Sequence, residues 1–316
     1  MALTIRIAIL NADTPVPSVL ATRGTYGTIF HNLLLAAASR HHSLYPAINL
    51  EATEFDVVRG EYPSSPADLD ALLITGSSSS SYADLPWIKR LDDYLLAVYR
   101  DHPHVRIFGS CFGHQIVCQS LLREQGVVVE KDPEGWEIGV HEVRLTDEFC
   151  EALGGPDSKA ATPRPAVNRL PTPDAEDPRP APLSTSPKQQ QQSLRLQFIH
   201  ADHVRLPASG LPPSWIPLGS SRHCPVQGVY QPGRVLTYQG HFEFDRFVNA
   251  ETLKVFGAKW APAVLQAGLD QIEGDDDAEV AADIVLRFFL EGRKLAKVTE
   301  IGEQAHGGLV TPPLET

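Results

Sequence analysis

The residues Val105-Arg106-Ile107-Phe108-Gly109-Ser110-Cys111-Phe112-Gly113-His114-Gln115-Ile116 decide how the chain is read. An apolar run ends in Gly-x-Cys-x-Gly, and the residues beyond it take up a helical period. This predicts a buried strand turning sharply into a helix, the elbow that presents a nucleophile at the edge of an α/β sheet, with sulfur in place of a serine oxygen. The glycines follow from geometry. The residue at the tip of such a turn is strained, and a side chain at Gly109 or Gly113 would crowd the neighbouring backbone. At the start of the helix, free N–H groups and the helix dipole favour a thiolate, and the N–H of Phe112 can point at a developing oxyanion. Cys118 reads as core, whereas Cys150 and Cys224 have no context that marks them.

On the N-terminal side of this turn, short apolar or β-branched runs alternate with segments of helical period. Strands are expected at about 5–10, 51–58, 70–75 and 105–110, and helices at about 26–40, 87–100 and 112–125. Ile29, Leu33, Leu34 and Ala37 share one helix face, as do Ile88, Leu91, Leu95 and Val98. The predicted fold is a three-layer α/β arrangement, an open and mainly parallel sheet flanked by helices. From 127 to 150 the pattern becomes extended at Val127–Val129 and Ile138–Leu145, which predicts an antiparallel extension.

Residues 155–193 hold nine of the 26 prolines, no aromatic residue and the tract Gln189–Gln192. Such a composition cannot offset ~1–2 kcal/mol of backbone ordering entropy per residue, and a disordered insertion is expected there. The extended pattern resumes at Leu196–Ile199, Gly228–Tyr230 and Val235–Tyr238. The segment 246–272 reads as a helix bent at Pro262, and Val280–Leu290 as another helix, with the acidic run Asp275–Asp277 at its start. The domain expectation is one unit over 1–250, interrupted by 155–193, with a helical extension and tail over 251–316.

A nucleophile needs a base, and the base an orienting group. The run Val235-Leu236-Thr237-Tyr238-Gln239-Gly240-His241-Phe242-Glu243-Phe244 places a histidine just past a strand and a carboxylate two residues on. Residues two apart on extended chain face the same side, so His241 and Glu243 can hydrogen-bond.

Taken together, Gly109-Ser110-Cys111-Phe112-Gly113-His114-Gln115 and Gly240-His241-Phe242-Glu243 resemble the class I (triad) glutamine amidotransferases, of flavodoxin-like architecture. The likeness is greatest to stand-alone proteins of fungal and plant type related to the amidase domain of GMP synthetase. The resemblance implies Cys111 as nucleophile, His241 as general base and acid, and Glu243 as its orienter. It implies the N–H groups of Gly76 and Phe112 as the oxyanion site, with Ser77 where a second glycine is usual. Gln115 matches a residue that holds the glutamyl part of the substrate. The segment Phe198–Val204 resembles a histidine-containing substrate loop, which makes His200 and Asp202 substrate-binding candidates. Phe242 stands where proline is common and should alter local stiffness.

The implied activity is a cysteine-dependent hydrolase of γ-glutamyl amide bonds, acting through a γ-glutamyl thioester on a small-molecule substrate. Only about 66 residues follow position 250 and no Gly-x-x-x-x-Gly-Lys-Ser/Thr loop occurs, so an ATP-dependent acceptor domain is not expected in the chain. One alternative is an amidotransferase subunit delivering ammonia to a separate protein. Another is a non-catalytic binding protein that retains the fold. No cofactor and no metal are expected; the rival metal reading groups His200, Asp202, His203 and His241.

Composition narrows the classes further. Lys plus Arg is 27 against 39 for Asp plus Glu, a formal charge of −12, which disfavours nucleic acid and anionic lipid as partners. No apolar run reaches the ~20 residues of a membrane span. The opening residues run straight into Ile5, Ile7 and Ile9 without a secretory pattern, so a cytoplasmic location, or the nucleus, is expected.

Overall fold

The computed structural model describes residues 3–41, 48–154 and 192–293. In chain order the elements are β1 (Leu3–Asn11), α1 (Pro17–Arg23), α2 (Tyr26–Arg40), β2 (Ile48–Asp56), β3 (Ala71–Ile74), α3 (Pro86–Asp101), β4 (Arg106–Ser110) and α4 (Phe112–Leu122). There follow β5 (Val128–Lys131), β6 (Glu137–Leu145), the single turn α5 (Asp147–Phe149), β7 (Ser193–His200), β8 (Asp202–Arg205), β9 (Ile216–Pro217) and β10 (Gly219–Ser220). The last are β11 (Val229–Gln231), β12 (Val235–Tyr238), α6 (Arg246–Phe256), α7 (Pro262–Ile272) and α8 (Ala278–Leu290).

Seven strands form the main sheet in the order β2-β1-β3-β4-β12-β11-β9. The first five are parallel; at one edge β11 pairs antiparallel with β12, and β9 pairs antiparallel with β11. Alternation along the strands explains the two covered faces. Ile5, Ile7 and Ile9 of β1 join Phe30 and Leu34 of α2, and with them Ile284, Val285 and Phe288 of α8. Ala8 and Leu10 point the other way, into a core shared with Leu91 and Leu95 of α3 and Phe112 and Ile116 of α4. The expected layers and mainly parallel sheet are thus present. Residue 250 lies within α6, and α8 contributes to the same core as the first strand.

The antiparallel extension is a three-stranded sheet, β10-β6-β7, with β5 and β8 as a separate antiparallel pair. Several details differ from the sequence reading. The helix expected over 246–272 is two helices: α6 ends at Phe256 with Gly257 as its C-cap, and Pro262, which has no N–H to donate, opens α7 rather than bending a continuous helix. Helix α4 ends at Leu122 and a 3-10 turn carries the helical run on to Gln125, where the sequence reading ends it; α1, which opens at Pro17, is an additional helix. Most of the expected insertion, 155–191, lies outside the described residues, and Ser193 already begins β7. The acidic run is more than a helix cap. Asp276 accepts from the Ala278 N–H at 3.1 Å, Asp277 takes three hydrogen bonds from Arg195, and Asp275 pairs with Arg246. No helix among the described residues is long and apolar enough to cross a membrane.

Candidate active site

Strands β3, β4 and β12 are neighbours in the parallel part of the sheet. Adjacent strands lie ~4.8 Å apart, so their C-terminal ends fall within roughly 10 Å of one another. Gly76 follows β3, Cys111 follows β4 and His241 lies three residues past β12. The register pairs Ser110 with Tyr238, so the two turns leave the sheet at the same level. Topology, not proximity in the chain, assembles the site.

Cys111 is the only non-glycine with positive φ among the described residues, at φ 50° and ψ −104°. Its N–H donates to the Tyr238 carbonyl at 2.8 Å, and its carbonyl accepts from the Gln115 N–H at 3.0 Å. The flanking glycines are required by close approach. A Cβ at Gly109 would strike the Gly113 carbonyl, and one at Gly113 would strike that of Ile74. The thiol is 6 % exposed.

His241 Nδ1 is 2.7 Å from Glu243 Oε1. The far nitrogen, Nε2, has no hydrogen-bond partner among the described residues and belongs to the ring that interacts with Cys111. A methyl group at Gly76 would sit 3.0 Å from His241 Cε1 and 3.7 Å from Cys111 Cβ, so the thiol and the imidazole border the same small space. Burial alone would lower the pKa of this imidazole. The neighbouring Glu243 carboxylate and the Cys111 side chain outweigh burial and raise it from the usual 6.5 to about 10. The ring is therefore suited to the imidazolium form.

Further residues hold this pair, and of these only Phe242 is marked out by its sequence context. Ser110 donates to both oxygens of Glu243, at 3.1 and 3.2 Å. Phe244 stacks on the imidazole with centroids 4.0 Å apart, and Tyr26 stacks on Phe244 in turn. The His241 N–H donates to the Gln197 carbonyl of β7 at 2.8 Å. Phe242, in place of proline, enters an aromatic cluster with Phe30, Phe108 and Tyr238, anchoring the His241–Glu243 segment to the core. Gln239, fully buried, donates from Nε2 to Cys111 Sγ at 3.6 Å.

The substrate-binding candidates lie to one side of the thiol. Gln115 Nε2 donates to the Asp202 carbonyl at 3.0 Å and to Gln239 Oε1 at 3.1 Å. The Asp202 carboxylate accepts from Ser80 and Tyr82. His200 is held between Glu137 Oε2 and the Asp202 carbonyl, both at 2.9 Å. Cys111, Gln115, His200, Asp202, Tyr82 and Ser77 all border a cavity of about 400 Å³, within the range of small-molecule sites. A narrower space of about 30 Å³ reaches from Cys111 to His241, Asp13 and Tyr26. Asp13 accepts from both the N–H and the hydroxyl of Ser78, which ties the end of β1 to the serine loop. Trp87, by contrast, packs on Phe112 at 5.4 Å.

The four residues of the metal reading are not brought together. His241 faces Glu243, His200 faces Glu137, and His203 is turned towards Asp132, 3.1 Å away.

No known protein-family profile matches the chain. Among characterised sequences, it is 28 % identical to a putative glutamine amidotransferase-like protein of Schizosaccharomyces pombe, over 90 % of this chain and 98 % of that one. It is 24 % identical to gamma-glutamyl peptidase 2 of Arabidopsis thaliana, over 76 % of this chain and 82 % of the plant protein. A glutamine amidotransferase crystal structure from Thermotoga maritima superposes with a TM-score of 0.57 at 14 % identity, covering 90 % of this chain and 98 % of that one. One from Methylobacillus flagellatus gives 0.55 at 18 % identity, over 92 % and 93 %. The fold is that of the class I glutamine amidotransferases, and the relatives named are glutamine amidotransferase-like proteins and a γ-glutamyl peptidase.

Proposed function

We propose that the protein is a cysteine-dependent hydrolase of γ-glutamyl amide bonds. The observation that carries this reading is the placement of one buried imidazole between the Glu243 carboxylate and the Cys111 thiol, on the ends of adjacent strands. Cys111 attacks the side-chain amide carbon of a γ-glutamyl group. The N–H groups of Gly76 and Phe112 stabilise the oxyanion, and the C–N bond breaks as His241 protonates the leaving nitrogen. Glu243 keeps the proton-bearing Nδ1 turned away from the reaction so that Nε2 exchanges protons with substrate. Water then gives a proton to His241 and attacks the γ-glutamyl thioester, releasing glutamate and restoring the thiol. The 400 Å³ cavity bordered by Gln115, His200 and Asp202 receives the substrate beside the sulfur.

The name of the Arabidopsis relative supports the hydrolytic form of this chemistry, and the amidotransferase-like name of the fission-yeast relative supports delivery of ammonia to a separate protein. Intact-protein mass spectrometry after brief exposure to glutamine, glutathione and glutathione conjugates tests the acyl step. An adduct of about 129 Da, one glutamyl residue, is expected on wild type and absent from Cys111→Ala. The hydrolase reading predicts glutamate release without any added protein. Failure to form the adduct with every γ-glutamyl compound tried, by folded protein, overturns the proposal.

A further inference from the structure

Behind the wall that carries His200 and Asp202 lies a second set of reactive side chains that the chemistry above does not use. Asp132 follows β5, His203 sits in β8, and His223 and Cys224 lie on the segment between β10 and β11. One ligand atom each from Asp132, His203 and Cys224 fall within 4.8 Å of one another, and all three residues are buried. His223 Nε2 adds a fourth, 3.4 Å from Asp132 Oδ2.

The hydrogen bonding of this cluster is incomplete in a directed way. Asp132 is 4 % exposed; its Oδ1 accepts from the Glu134 N–H, but Oδ2 has no hydrogen-bond partner among the described residues. Neither ring nitrogen of His203 has one, nor has His223 Nε2. His203 Nδ1 is 3.1 Å from Asp132 Oδ2 without the alignment of a hydrogen bond. Several buried polar atoms converging on one point without satisfying one another is costly unless something occupies that point.

We infer that Asp132, His203, His223 and Cys224 form a binding site for a divalent transition-metal ion of zinc type. The donor set, one thiolate, two imidazoles and one carboxylate, suits zinc. A tetrahedron with bonds of about 2.0–2.3 Å has edges of roughly 3.3–3.8 Å, close to the 3.1 and 3.4 Å that separate Asp132 Oδ2 from His203 Nδ1 and His223 Nε2. On binding, the Cys224 S–H loses its proton to solvent as the metal–sulfur bond forms. The ion's two positive charges then balance thiolate and carboxylate. Glu130, 3.8 Å from His203 Nε2, stands where a carboxylate commonly orients a metal-bound imidazole.

The ion joins three chain segments at the back of the substrate wall. The Asp132 N–H donates to the Ala201 carbonyl, between His200 and Asp202, so the site braces the segment that borders the cavity. This departs from the sequence-based expectation of no metal, and it does not depend on the proposed activity.

Cobalt(II) titration of the full chain, stripped with a chelator, is the test. A sulfur-to-cobalt charge-transfer band together with intense visible bands of tetrahedral cobalt, saturating at one equivalent, is expected in wild type and equally in Cys111→Ala. Cys224→Ser should lose the sulfur band. His223→Ala, on a partly exposed segment, should fold and bind at least about 10-fold more weakly. Zinc should displace the cobalt and raise the melting temperature of wild type but not of Cys224→Ser. Absence of any cobalt band in folded wild type, or a band that persists in Cys224→Ser and vanishes in Cys111→Ala, overturns the inference.

Discussion

The Ser110 hydroxyl lies within hydrogen-bonding distance of both carboxylate oxygens of Glu243, although 133 positions separate the two residues. The residue immediately before the thiol thus holds the group that orients the imidazole. Ser110→Ala removes this bond to a buried carboxylate, a change of about 1.5–3 kcal/mol where charge is involved. On the proposed mechanism kcat should fall by roughly 10-fold or more while KM changes little, since Ser110 touches no substrate. Steady-state kinetics on a γ-glutamyl amide check the split; an effect confined to KM contradicts it.

The backbone of Cys111 stores strain, because a side-chain-bearing residue at φ 50° and ψ −104° lies outside the favoured regions. Glycine meets that conformation without penalty. Cys111→Gly and Cys111→Ala should both abolish amide hydrolysis, but the glycine variant should be the more stable of the two by about 1 kcal/mol. Denaturant melts of the pair decide this, and a less stable glycine variant would show that the turn is not strained.

Gly76→Ala places a methyl group 3.0 Å from the imidazole and 3.7 Å from Cys111 Cβ. The ring must shift, and its hydrogen bond to Glu243 with it. Turnover should drop about 10²-fold, of the order seen when an oxyanion donor is lost, with a melting temperature within a few degrees of wild type. A variant with full activity would remove Gly76 from the site.

Because the folded state raises the pKa of His241, its ion pairing supports folding fully below about pH 6.5, where the unfolded chain is protonated as well. That contribution fades as pH rises towards about 10, where the folded ring itself loses its proton. The stability gap between wild type and His241→Gln should therefore narrow between pH 7 and pH 10. Urea unfolding across that window measures it; a gap that widens with pH reverses the sign and contradicts a raised pKa.

The legibility of the sequence varied with the range of the interactions. The glycines around Cys111 and the alternation of Ile5, Ile7 and Ile9 are local patterns, and they led to the right strands and the right turn. The two-residue spacing of His241 and Glu243 is equally local, and the two are hydrogen-bonded. Gln239 and Phe244 carry no local signal, because their importance comes from strand neighbours and ring stacking, which no short window contains. Cys224 is featureless in the sequence for the same reason: its companions Asp132 and His203 are distant along the chain, and the antiparallel pairing of β5, which ends just before Asp132, with β8 brings their segments together. Pro262 is a local signal, but whether it bends a helix or opens a new one depends on Gly257, which closes the preceding helix five residues earlier.

Strand β7 begins at Ser193, opposite Arg144, and ends at His200, in the cavity wall. Seven steps of ~3.3 Å put its two ends roughly 23 Å apart. The long proline- and glutamine-rich stretch therefore joins the folded body at the end of the strand remote from the sulfur. Its two roots, at 154 and 192, give a natural docking port for experimental handles. A fluorescent reporter or affinity label spliced between them would leave every side chain around the thiol in its native sequence.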